Sequence, residues 1–120
     1  MTVGEVRGGF PRVVIELPGH AGSVRVEFVL DTGFEGYLSL PASVVQRLDA
    51  TYAGAQTSRL ADGTEIVGPL YSLTLLWNWE PREVDVLVFE NNPLLGVFLL
   101  TDCHLDIDIT EGGEVLIEFP

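Results

Sequence analysis

Asp31, Thr32 and Gly33 are the residues whose types and order most suggest chemistry in this chain. They directly follow an apolar run, in the stretch "FVLDTGFEGYLSLP" at residues 28–41. A glycine at a strand end permits a tight corner and the close approach of another backbone. A threonine hydroxyl can fix such a corner by hydrogen-bonding backbone groups. The stretch therefore predicts a carboxylate held at the end of a buried strand, although an aspartate that only hydrogen-bonds its own turn is the simpler explanation of the three residues alone.

Other residues with notable side chains give weaker signals. Cys103 is followed by a histidine, but neighbouring side chains on a strand point to opposite faces, which favours a buried structural cysteine over a nucleophile. The stretch "DIDIT" at residues 106–110 matches the Asp-x-Asp-x-Thr of phosphatase-like hydrolases, yet solvated acids on an edge strand are favoured there. His20 lies in a turn with no second ligand nearby. Trp77 and Trp79 are expected to point the same way, into the core or an interface.

The charge of the chain argues against several partners. There are 18 acidic residues against 6 basic ones, all arginines, which gives a net charge of −12 at pH 7. No basic stripe is present to neutralise phosphates, and an anionic membrane surface would repel the chain, so we expect neither nucleic-acid nor membrane binding. No apolar run approaches the roughly 18–20 residues that span a bilayer, and no secretory signal pattern is seen. A cytoplasmic location is expected.

Short β-strands are predicted for most of the chain and would position Asp31. The runs "RVVIEL" and "SVRVEFVL" predict a first hairpin, and the second run alternates apolar and polar residues as a half-buried strand does. Residues 41–48 are the best helix candidate, because Pro41 suits a first helical position. Residues 94–102 predict a short helix or a tight loop. We expect one all-β domain over residues 1–120, with one or two short helices.

The middle of the chain adds a long hairpin and a faint repeat. Residues 51–60 and 65–77 predict extended arms joined by "ADGT", and Asp-Gly between β-rich arms is a strong hairpin signal. The tip, at residues 61–64, is small and polar and is expected to project into solvent and move. "FVLDTG" and "NPLLGV" echo each other about 65 residues apart, as two half-units related by a pseudo-twofold would.

Together these motifs resemble the retropepsin-like aspartic proteases, in particular the bacterial members of clan AA. "VLDTG" at 29–33 looks like the catalytic loop of that family, and "LADGT" at 60–64 stands where its flap tip should be. "LLGVFLL" at 94–100 looks like the motif that begins the last helix of the family. The order of motifs covers residues 12–119. The resemblance implies a closed β-barrel with a flap hairpin.

The resemblance also implies an activity, that of an aspartic-type endopeptidase acting as a homodimer on a peptide or protein. Such enzymes need two carboxylates about 3 Å apart that share one proton, one activating water and the other protonating the carbonyl. The chain contains a single Asp-Thr-Gly, so each subunit of a symmetric dimer would contribute its Asp31. Neither a metal nor a cofactor is expected.

Further roles are carried over from the family residue by residue. Thr32 would bond across the twofold axis, and Gly33 would let the substrate backbone pass close to the carboxylate. In the second motif, Leu95 precedes Gly96, which would pack tightly beneath the loop. The flap tip that would close over the peptide comprises Ala61, Asp62, Gly63 and Thr64.

Two departures from the family pattern concern the dimer. The bulky Phe34 precedes Glu35, and Val97 stands where retroviral members carry an arginine that pairs with this acid. The dimer would then be weaker or held by apolar contacts, unless Arg7 or Arg12 reaches Glu35. These departures motivate an alternative hypothesis, a non-catalytic dimeric barrel that binds a peptide or a partner protein.

Overall fold

The computed structural model describes residues 2–120, and nearly all of its regular structure is β-strand. The strands in chain order are β1 (Thr2–Arg7), β2 (Phe10–Leu17), β3 (Val24–Asp31), β4 (Leu38–Leu40), β5 (Thr51–Arg59), β6 (Glu65–Trp77), β7 (Glu80–Val88), β8 (Leu94–Gly96), β9 (His104–Ile107) and β10 (Glu114–Glu118). One short helix, α1 (Ala42–Val45), follows β4. The prediction of an all-β chain is therefore confirmed.

All ten strands belong to one sheet, and this sheet is open. The strand order is β5-β6-β7-β4-β8-β3-β2-β1-β10-β9. At its two ends, β5 pairs with β6 alone and β9 pairs with β10 alone. The predicted closed barrel is wrong, because within the described residues no hydrogen-bonded pairing joins β5 to β9.

The first eight strands are arranged symmetrically about the centre of the sheet. There β4 and β8 pair antiparallel, while β3 runs parallel to β8 and β7 runs parallel to β4. Outside this centre lie β2 and β1 on one side and β6 and β5 on the other. This order is the one that two half-units related by a pseudo-twofold produce. It relates β3 to β7 and β4 to β8, so "FVLDTG" on β3 and "NPLLGV" on β8 are not equivalent positions of the two halves, contrary to prediction. Strands β9 and β10 are added outside the symmetric part.

Strand β3 shows how the sequence pattern builds the core under the site. Val24, Val26, Phe28 and Leu30 are buried, while the residues between them are exposed or half-buried. This period-2 alternation places one face of the strand against the core, where apolar burial stabilises the fold. The last residue of the strand, Asp31, is thus fixed at the end of a well-packed element.

One of the one or two predicted helices forms, and it is shorter than expected. Of the helix expected over residues 41–48, only α1 forms, with no side-chain cap and no acidic residue in its first turn. In the stretch expected to form a short helix or a tight loop, Leu94–Gly96 form β8 and residues 97–102 form turns, ending at Asp102 with a φ of 68°. Two strands were not predicted. One is β8, and the other is β1, whose stretch contains Gly4 and places only Val6 fully in the core.

Trp77 and Trp79 do not share an environment, contrary to prediction. Trp77 is 7% exposed and packs edge-on against Phe119, whereas Trp79 is 87% exposed. The chain reverses between them, since Asn78 and Trp79 have φ values of 54° and 64°. Two consecutive positive φ angles are the geometry of a type I′ hairpin turn, and such a turn breaks the strand alternation.

Candidate active site

The two motifs that echo each other in the sequence lie side by side in the fold. Strand β3 runs parallel to β8, with Leu30 opposite Leu95 and Asp31 opposite Gly96. Leu95 is fully buried and Gly96 is buried. The end of β3 is thereby held next to the β4–β8 pair at the centre of the symmetric part of the sheet. Asp31 is the last residue of this strand.

The loop after β3 turns sharply around Asp31. The backbone N–H of Gly33 donates to Asp31 Oδ1 at 3.0 Å, and the N–H of Phe34 donates to the Asp31 carbonyl oxygen at 3.1 Å. The Gly33 bond is the only side-chain hydrogen bond of Asp31 within residues 2–120. Asp31 is half-buried and Thr32 is exposed. One carboxylate oxygen therefore fixes the corner, and the other is left for a further partner.

Phe34 is buried beneath this loop. Its ring is fully buried, and glycines stand on two sides of it. A Cβ on Gly36 would lie 2.6 Å from the ring, and one on Gly96 would lie 2.7 Å from it and collide with the Gly36 carbonyl oxygen. The N–H of Val97 donates to the Phe34 carbonyl oxygen at 3.0 Å. The bulky residue that departs from the family pattern thus occupies space that two glycines leave open.

The β5–β6 hairpin, which we call the flap, folds back onto this loop. Its tip is closed by an N–H of Leu60 donating to the Thr64 carbonyl oxygen at 2.8 Å, and Gly63 has a φ of 86°. Ala61 lies so close to Gly33 that any side chain at position 33 would collide with it. The tip residues 61–64 are exposed, as predicted, yet the tip contacts the Asp31 loop.

An arginine of the flap faces Glu35. Arg59 Nε lies 3.9 Å from Glu35 Oε2, and the Glu35 N–H donates to the Arg59 carbonyl oxygen at 3.0 Å. Arg7 and Arg12, which were disfavoured as partners of Glu35, both pair with Glu27 instead. The side chains of Arg59 and Glu35 are both more than half exposed, so this ion pair contributes at most about 1 kcal/mol to the free energy of unfolding. Its role is to tie the flap to the loop.

A groove of about 280 Å³ opens beside Asp31. Its lining comes from three separate parts of the chain, and two of the lining residues, Phe10 and Asn91, lie outside the motifs singled out in the sequence. The groove is lined by Phe10, Val29, Leu30, Asp31, Asn91, Asn92 and Leu94. Asn91 and Asn92 lie in the loop between β7 and β8, which is related to the Asp31 loop by the symmetry of the sheet. That equivalence is the signal that could have identified them.

The weaker sequence candidates do not assemble into a second site. Partial burial raises the pKa of the Cys103 thiol, which disfavours the reactive thiolate. His20 Nδ1 lies 2.8 Å from Asp49 Oδ1, and both side chains are more than half exposed. Asp106 is exposed on β9 at the edge of the sheet. Within residues 2–120 no group of three or more His, Cys, Asp or Glu side chains is placed to hold a metal ion.

The flap tip contains a titratable contact that gives a pH-dependent prediction. The pKa of the Asp62 carboxyl lies below its ordinary value of 3.8, because the Thr64 side chain and the Thr64 backbone N–H hydrogen-bond it. The N–H bond to Asp62 Oδ1 is 2.8 Å long. A lowered folded-state pKa means that this contact supports the tip above pH 3.8 and is lost as the pH falls through the lowered value.

We therefore expect Asp62→Ala to speed hydrogen exchange of the Thr64 amide several-fold at pH 6, since that amide loses its acceptor. The difference from the parent protein should disappear at acid pH, when Asp62 is protonated. Amide exchange followed by NMR measures both, and Asp106→Ala serves as the control for removal of an exposed carboxylate. Equal protection of Thr64 in both proteins at pH 6 would show that Asp62 does not order the tip.

Nothing matches this chain in comparisons with family models, with curated proteins or with solved structures. No helix among residues 2–120 has the length and apolar character to cross a bilayer.

Proposed function

We propose that this chain is a retropepsin-like aspartic-type endopeptidase that works as a homodimer, with one Asp31 from each subunit. The observation that carries the proposal is the parallel register of β3 and β8, which sets Asp31 opposite Gly96. The flap tip contacts the same loop through Ala61 and Gly33. A rigid carboxylate at a glycine corner, under a hairpin that can cover a peptide, is the arrangement that this chemistry needs.

The proposed reaction uses the two carboxylates as one unit. The ionised carboxylate takes a proton from water while the water oxygen bonds to the peptide carbonyl carbon. The protonated carboxylate gives its proton to the carbonyl oxygen, and a tetrahedral diol forms. The C–N bond then breaks as the nitrogen gains a proton from one carboxylate and a diol hydroxyl returns its proton to the other. Water is consumed, and the dyad ends with the single proton with which it began.

The surroundings of Asp31 fit this role. Gly33 N–H fixes Oδ1 at 3.0 Å, so the second oxygen is left for the attacking water and for the partner carboxylate. Thr32 is exposed in the single chain and would contact the same loop of the other subunit. The apolar groove beside the carboxylate would hold part of the substrate. A cytoplasmic location belongs to the same proposal.

The dimer contact has to differ from that of the retroviral relatives. Val97 stands in place of the arginine, and Glu35 is paired to Arg59 within the subunit. Apolar and backbone contacts would then hold the two copies together. This same observation favours the alternative, a dimeric peptide-binding module without catalysis, and the test below separates the two.

Peptide hydrolysis should be confined to the dimer. We expect specific activity against a mixed peptide library to fall on dilution through the dimer dissociation constant measured by sedimentation. Activity should also rise and fall with pH as a bell, because the pair must hold one proton. A monomer with undiminished specific activity would overturn the shared dyad. A stable dimer that binds peptides and cleaves none across the pH range would support the alternative.

A further inference from the structure

A second pocket, of about 160 Å³, lies beneath the flap on the other side of the Asp31 loop. We call it the Asp85 pocket. Its walls include Phe34 and Gly36 from the loop, and Gln56 and Ser58 from β5. A peptide held across Asp31 under the flap would pass its mouth, because the loop that holds the carboxylate also forms one wall.

Asp85 is the one acidic residue in the wall of this pocket. It lies on β7 between the buried residues Val84 and Val86 and is itself half-buried. It takes part in none of the ion pairs formed within residues 2–120. Removing a carboxylate from water without a partner costs free energy that an incoming cation would offset.

The arginine of the same strand is engaged elsewhere. Arg82, on the same strand, places its guanidinium carbon 5.5 Å from the centre of the Tyr37 ring. It makes no ion pair with Asp85. Within residues 2–120 the Asp85 side chain therefore has no basic partner in an ion pair.

The rest of the pocket suits the stem of a long side chain. Leu70 and Leu87 supply apolar surface, and Gln56 and Ser58 supply hydrogen-bonding groups. Lysine and arginine bury an apolar stem and need an acidic partner for the charged end. The net charge of −12 also favours the approach of cationic peptides over anionic ones.

We propose that Asp85 makes this protein selective for peptides with a lysine or arginine side chain close to the bond to be cleaved. This inference rests on the proposed function for the cleavage itself, but the binding preference stands without it. Asp85 would be a specificity-determining residue that pairs with the substrate cation.

The test compares peptides that differ at one position, carrying lysine or the neutral norleucine, scanned along a library scaffold. For the parent protein we expect lysine to be preferred at one position. Asp85→Asn should lower the lysine-to-norleucine ratio of kcat/KM at that position by about tenfold or more, as loss of a charge-assisted hydrogen bond implies. Asp85→Glu should restore most of the ratio.

Asp106→Asn is the matched control, because it removes the same charge from an exposed edge strand. An equal fall in the ratio for Asp106→Asn would assign the preference to net charge and overturn the role of Asp85. An unchanged ratio in folded Asp85→Asn would overturn it as well.

The same peptides are also assayed for binding to Asp31→Asn protein by fluorescence polarisation. If the parent cleaves none of them, the proposed function fails, and a lysine preference in binding that depends on Asp85 would still support the inference. If peptide binding shows no preference for lysine, the proposed role of Asp85 is wrong.

Discussion

Asp31→Asn is expected to lower kcat/KM for peptide hydrolysis by about a thousandfold or more, while the chain stays folded. An amide can neither take the proton from water nor hold the shared proton of the pair. The asparagine oxygen can still accept the Gly33 N–H that now bonds Oδ1 at 3.0 Å. The corner of the loop is therefore preserved, and the loss of rate reports on chemistry. Initial rates on a cleavable peptide and urea unfolding of both proteins measure the two effects.

A subunit-mixing experiment tests the shared dyad directly. When parent and Asp31→Asn subunits exchange freely, only dimers with two Asp31 residues should cleave, so activity should follow the square of the parent fraction. Asp106→Asn, which alters an exposed acid on β9, should mix without loss. Activity that follows the parent fraction linearly would mean that each subunit works alone.

Phe34→Ala is expected to lower the free energy of unfolding by about 3–5 kcal/mol, the range for large core side chains reduced to alanine. The ring is fully buried, and the space it fills is bounded by Gly36 and Gly96, which carry no side chains that could close the cavity. Urea unfolding followed by tryptophan fluorescence gives the change. Phe98→Ala is the matched control, because Phe98 is 43% exposed and should cost clearly less.

A double-mutant cycle shows whether the ring and the glycine share one space. A Cβ on Gly36 would meet Phe34 ring atoms at 2.6, 2.9 and 3.2 Å. Gly36→Ala should therefore cost about 1–3 kcal/mol with Phe34 present, as overpacking does. With alanine at position 34 the same change should cost little, so the two effects should be strongly non-additive. Additive costs would place Phe34 away from Gly36.

The same packing explains how Phe34 fits a loop that resembles one with a small residue at this position in the retropepsin-like proteases. From the sequence, Phe34 stands out as a departure that weakens the comparison. In the structure the ring is fully buried beside Gly36 and Gly96, and it does not line the groove beside Asp31. The departure therefore changes the support of the loop and leaves the surroundings of the carboxylate open.

Local signals in the sequence predicted most of the strands and the flap hairpin. The period-2 alternation of β3 and the Asp-Gly at residues 62–63 act through neighbours in the chain, so single-sequence reasoning can recognise them. The helix predicted over residues 41–48 was too long because that prediction also used only local signals. Propensity alone does not hold a helix of this length, and the fold stabilises only Ala42–Val45.

What the sequence determined by itself is the strand content, the flap hairpin and the identity of Asp31 as the candidate carboxylate. Tertiary structure alone decided that the sheet is open, that Arg59 faces Glu35, and that Asp85 lines a pocket beneath the flap. These features depend on contacts between residues far apart in the chain. Strand alternation says which face of a strand is buried, but the choice of neighbouring strand depends on the packing of the whole core.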